Sequence, residues 1–260
     1  NALFSIRDLR LLSIGFCIDL AAHLWCVCFV PRRRKLFVAI LLLPLCVGVG
    51  RALGQLIAQS GFADTTVAPL AAGVAGMFLL YHYAPKPMWI YVFGHEFTHA
   101  AATMACGGRV KGMKVTSDGG HVLVTKDNFF VSLAPYFVPL YVGLVLAVFV
   151  GGRALWGWSG PWAWSFFYWM LGLAYAFHVL LTWHILHTRQ SDLTSQGYLF
   201  SAVIIFLGNA GVLLLGLPYL LDGPDTLDAF KMAGTGTLET FRDLGTLATR
   251  IWDAGNSALN

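Results

Sequence analysis

A chain of 260 residues that is 57% hydrophobic and only 12% charged cannot clothe a water-facing surface, for which about 25% charge is usual. Mean hydropathy is +0.68, and the net charge of +4 comes from short clusters rather than one basic run, which gives nucleic-acid binding no support. The composition is that of an integral membrane protein in which Lys and Arg act as topology determinants.

The first apolar stretch, residues 11–30, follows Arg7 and Arg10 without a small-residue cleavage site, and reads as an uncleaved span. Asp19 and His23 interrupt it on one helical face. Pro31-Arg32-Arg33-Arg34-Lys35 ends it, and residues 36–59 resume as a second span whose Gly48, Gly50 and Gly54 suit close helix packing. Arg51 within it needs a partner, for which Asp19 is a candidate. A third span, residues 67–83, is rich in Ala and Gly and stops at Pro85-Lys86-Pro87. The five cysteines, Cys17, Cys26, Cys28, Cys46 and Cys106, lie in or at the ends of apolar runs and read as small buried hydrophobes.

Residues 88–106 carry the chemistry. His95, Glu96 and His99 stand in the middle of an apolar run, where each ionisable side chain costs roughly 2.5–3.5 kcal/mol on insertion scales. On a helix, residues four apart share a face, so His95 and His99 can hold one Zn²⁺ while Glu96 beside them activates a water. The same His-Glu-x-x-His pattern also occurs by chance in soluble helices, and in a membrane a polar relay is the alternative.

Cys106-Gly107-Gly108 suits a helix stop, and residues 109–126 then form two β-prone runs around Ser117-Asp118-Gly119-Gly120, which predicts a β-hairpin. It is either a solvated surface hairpin or an edge on which an extended peptide pairs. A fifth span, residues 128–150, begins with Pro135 and Pro139 and is expected to be kinked. Trp156 to Trp164 form an interfacial aromatic belt. The sixth span, residues 163–187, bears His178, His184 and His187 and leads to Asp192; any of the four can be the third ligand that a catalytic zinc needs, or a mere hydrogen-bonding or capping group. Residues 199–221 form a seventh span with Asn209 as its chief polar residue. In the polar tail, residues 222–260, Leu238, Phe241, Leu244, Leu247 and Ile251 form an amphipathic stripe for a membrane surface or a partner.

With these motifs in hand, the chain resembles the site-2 protease class of intramembrane zinc metalloproteases, especially the small bacterial members without a PDZ domain. The resemblance runs from about residue 87 to 200 and rests on His95-Glu96-Phe97-Thr98-His99, Gly107-Gly108, the hairpin through Asp118-Gly119-Gly120, the Asn128-to-Pro139 segment and Asp192. It implies His95, His99 and Asp192 as zinc ligands, Glu96 as catalytic base, and a hairpin that aligns substrate as an added strand. Asp192 stands in Gln190-Ser191-Asp192-Leu193, where many members have Leu-Asp-Gly after an Asn-Pro motif.

The expectation is therefore an all-α polytopic membrane protein of about six to seven transmembrane helices with a β-hairpin after the metal-binding helix. It divides into N-terminal transmembrane helices (1–86), a metalloprotease-like core (87–221) and an amphipathic tail (222–260). Counting seven spans puts the hairpin and Asp192 on one side, and Arg32–Lys35 and the tail on the other. The metal helix and the sixth span then run the same way. Expected partners are the lipid bilayer and a membrane protein substrate, and the expected location is the bacterial inner membrane. A catalytically silent subunit of a membrane complex is the alternative, with an ion or proton carrier behind it.

Overall fold

Apolar runs bounded by proline or glycine become helices, and the polar insert between them becomes the one hairpin among the described residues, which are 31–257 apart from 118 and 189 of this computed structural model. The predicted span at residues 11–30, with Asp19, His23, Cys17, Cys26 and Cys28, lies outside them. In chain order the elements are α1 (Arg32–Gln59), α2 (Asp64–Tyr83), α3 (Met88–Ala105), β1 (Val110–Thr116), β2 (Gly119–Val124), α4 (Phe129–Leu133), a 3-10 turn (Ala134–Tyr136), α5 (Leu140–Trp156), α6 (Pro161–Leu186), α7 (Ser191–Gln196), α8 (Tyr198–Gly216) and α9 (Thr226–Ser257).

Prolines stand where a helix begins and no N–H is needed: Pro31, Pro87 and Pro139 just before α1, α3 and α5, and Pro161 at the start of α6. Gly157, at φ 66°, ends α5 in the left-handed conformation.

Among the described residues, α1, α2, α6 and α8 with its 3-10 extension are long and apolar enough to cross a membrane, and the α4–α5 segment, bent by 73°, makes a fifth candidate. The bend follows from Pro135 and Pro139, which withhold backbone donors, as the sequence predicts. The outer faces expose Phe37, Ile40, Leu41, Leu79, Leu144, Val148, Phe166 and Trp183, a surface suited to lipid. α3 falls outside the spanning set because its ionisable residues dilute its apolar character.

α2 and α6 interlock through glycine. A Cβ on Gly73 would lie 2.0 Å from the Trp169 carbonyl oxygen, and one on Gly172 would lie 2.1 Å from that of Leu70. Only glycine allows so close a backbone approach.

These contacts also fix direction. Leu70 meets Gly172 and Tyr81 meets His184, so α2 and α6 run parallel. Two complete crossings between them would have made them antiparallel; one of the two intervening segments, α3 or the bent α4–α5 unit, therefore does not cross fully. The span count fails at the other end too: Lys35 Nζ donates to Gln196 Oε1, so the Arg32–Lys35 end of α1 lies beside the helix bearing Asp192, not opposite it. The count assumed that every apolar stretch crosses, which the polar α3 and a 73° bend do not guarantee.

α9 lies antiparallel along α1, joined at its start by the Gly61–Asp222 bridge. The docked face is small: Ala229, Ala233, Gly236 and Thr240 are buried, and the Gly48 backbone meets Thr237. The predicted stripe of Leu238, Phe241, Leu244, Leu247 and Ile251 stays exposed. Arg51 finds acids on α9, with Asp243 Oδ2 at 3.5 Å and Glu239 Oε2 at 4.0 Å.

The α2–α6 notch makes a direct prediction. Gly172→Ala should cost about 1–3 kcal/mol and lower the thermal midpoint in detergent, whereas Gly76→Ala, with open space around it, should leave it unchanged; equal midpoints would contradict the interlock.

Candidate metal centre

The centre begins with helical period. His95 and His99, one turn apart on α3, turn their imidazoles to the same side, and their Nε2 atoms lie 3.2 Å apart. α7, the short helix after α6, brings Asp192 to them: its Oδ2 is 3.5 Å from each Nε2.

A tetrahedral metal with bonds of 2.0–2.2 Å has ligand–ligand edges of about 3.3–3.5 Å. The triangle of 3.2, 3.5 and 3.5 Å fits that requirement, and two imidazoles with one carboxylate are a donor set suited to zinc. These three residues form the cluster of metal-ligating type found among the described residues. Of the other histidines considered for third ligand, His184 faces Tyr81 and Lys86, and His187 Nδ1 donates to Trp183 O on its own helix. His178 is buried, lines a cavity together with His95, and is not in the triangle.

Surrounding groups fix the triangle. His99 Nδ1 donates to Val131 O at 2.7 Å, which holds the proton on that nitrogen and leaves Nε2 free to ligate. Tyr136, fully buried, donates its hydroxyl to Asp192 Oδ2 at 2.9 Å and lays its ring edge-on to His95. Asn209 Nδ2 donates to Tyr136 O at 2.9 Å. One turn beyond Asp192, Gln196 Nε2 donates to Ser132 Oγ, which donates to Asp127 Oδ1. Burial pushes the Asp192 carboxyl up, but the imidazoles of His95 and His99 and the hydroxyl of Tyr136 beside it outweigh that and hold the group well below the usual carboxylate range.

Glu96 is 7% exposed, and its electrostatic neighbours are His95, His99, Asp192 and His121 of the hairpin. The hairpin, paired Met113 with Val122 and Val115 with Gly120, packs along α3. A Cβ on Gly120 would lie 2.7 Å from Glu96 Cγ, so glycine there lets the hairpin backbone approach the carboxylate. Sequence reasoning passed over Tyr136, Ser132 and Gln196. The available signal was their polarity within apolar surroundings, in the bent segment and just after Asp192.

Tyr136→Phe should keep the fold but weaken zinc binding roughly tenfold, read by competition with a chromogenic chelator. Unchanged affinity would contradict a supporting role for the hydroxyl.

Residues 67–186 match the model of a family described as Peptidase M50B-like. No curated protein and no solved structure matches the chain. The matched stretch runs from α2 through α6 and includes His95, Glu96, His99 and Tyr136; Asp192 lies just beyond it, so its approach to the histidines is a finding of the geometry. Through residues 67–186, the chain is similar to the M50B-like peptidases, a likeness that supports a place in the site-2 protease family.

Proposed function

We propose that the protein is an intramembrane zinc endopeptidase that hydrolyses peptide bonds in or near the transmembrane segments of other membrane proteins. The observation that carries this reading is the convergence of His95 Nε2, His99 Nε2 and Asp192 Oδ2 beside the buried Glu96, inside a bundle whose outer faces are apolar. His95, His99 and Asp192 would hold the ion. When bound, zinc supplies Lewis acidity and brings the ionisation of a water toward neutral pH.

Glu96 is the proton carrier. It takes the proton of the attacking water and returns it to the leaving amide nitrogen, so that the carboxylate is regenerated. Tyr136 keeps Asp192 oriented throughout. A helical substrate hides its carbonyls in its own hydrogen bonds and must unwind locally to react. The hairpin edge beside Glu96 suits an added strand, which would hold the unwound segment extended. The proposed setting is the bacterial inner membrane.

The exposed apolar stripe of α9 favours a second reading, a catalytically silent subunit docked within a membrane complex. One substitution separates the two. Glu96→Gln should lower cleavage of a transmembrane reporter by roughly 10²- to 10⁴-fold while zinc content stays at the wild-type level. Cleavage at the wild-type rate would contradict the proposed chemistry.

A further inference from the structure

The two imidazoles that meet Asp192 are not equally supported. His99 Nδ1 is held by Val131 O, whereas His95 Nδ1 is buried and has no hydrogen-bond partner. A histidine that ligates through Nε2 carries its proton on Nδ1, and that N–H needs an acceptor to fix the ring. Left unmade, such a buried bond leaves the ring loosely held and destabilises the site.

A cavity of about 20 Å³ adjoins this nitrogen's ring, lined by Tyr91, His95, Tyr141, Phe177 and His178 among others. Two further buried atoms on these residues also lack partners: the Tyr91 hydroxyl and His178 Nε2. One ordered water needs a space of roughly 10–15 Å³ or more and two to four polar partners. The cavity offers that space, and three of its lining residues each carry a buried polar atom that lacks a partner. His178 also meets the side chain of Asn209, which in turn holds the Tyr136 carbonyl, so the cavity side and the Asp192 side of the centre share a support.

We propose that a water in this cavity accepts the His95 Nδ1 proton in a hydrogen bond and donates to His178 Nε2, which makes His178 a positioning residue of the metal centre. Tyr91 supplies the water's third contact. No covalent bond changes, and His178 never touches the ion. This explains a polar residue at 7% exposure in the apolar α6, where a histidine without a task is costly. The inference rests on the metal reading of His95, His99 and Asp192.

The test reads metal affinity, not turnover. Zinc dissociation constants come from chelator competition on detergent-purified full-length protein, and the visible spectrum of the Co²⁺-substituted protein reports ligand geometry. His178→Ala should weaken zinc binding roughly 10- to 100-fold and alter the Co²⁺ spectrum, with the metal-free thermal midpoint as the control for folding. His178→Gln, which retains an acceptor, should recover affinity to within about threefold of wild type. Tyr91→Phe removes one contact at nearly constant volume and should cost about three- to tenfold, which keeps the test decisive if His178→Ala does not fold. Wild-type affinity and spectrum in His178→Ala, or unchanged affinity in Tyr91→Phe, would overturn the proposal. A wild-type protein that binds no zinc would overturn the metal reading itself, a separate failure.

Discussion

Three ionisable groups meeting in an apolar bundle set the terms for the rest of the molecule. Two imidazole nitrogens and a carboxylate oxygen lie within 3.5 Å of one another where lipid-facing helices exclude bulk water. Each group alone would be expensive there; together they neutralise and orient one another, and a divalent cation among them would complete the compensation. Such a cluster is useful only if its spacing is held to tenths of an ångström. Much of the surrounding polar structure serves that end.

The holding is done from several directions. α3 supplies the histidines, and its glycine-backed neighbour, the hairpin, closes on Glu96 through Gly120. The bent α4–α5 segment contributes Val131 O to His99, Tyr136 to Asp192 and Ser132 to Gln196. A straight helix would satisfy its own carbonyls; the proline-induced break frees groups to serve the site. α8 reaches in with Asn209, and α1 reaches the same region through Lys35 and Gln196. The chain before the matched family segment therefore joins the support of the centre.

Short-range geometry was legible in the sequence because it depends on short spacings. His95, Glu96 and His99 are fixed by helical period alone, the hairpin by Ser117-Asp118-Gly119-Gly120 between β-prone runs, and the bend by Pro135 and Pro139. Long-range relations were not. The parallel course of α2 and α6 depends on whether α3 and the bent segment cross completely, which apolar length does not decide. Arg51 invited a partner, and its acids, Glu239 and Asp243, lie on a helix distant in sequence. In α9 the large apolar stripe drew the eye, yet the small residues Ala229, Ala233 and Gly236 do the docking, because glycine and alanine permit the closest backbone approach. Asp192 could be named a candidate; that it, and neither His184 nor His187, completes the triangle required the fold.

The central claim is a three-ligand metal site, and elemental analysis of detergent-purified protein tests it most directly, with wild type beside His99→Ala and Asp192→Ala. The account predicts about one zinc per chain in the wild type, lost in both variants. A well-folded wild type without zinc, or an Asp192→Ala protein that keeps its full complement, would contradict it.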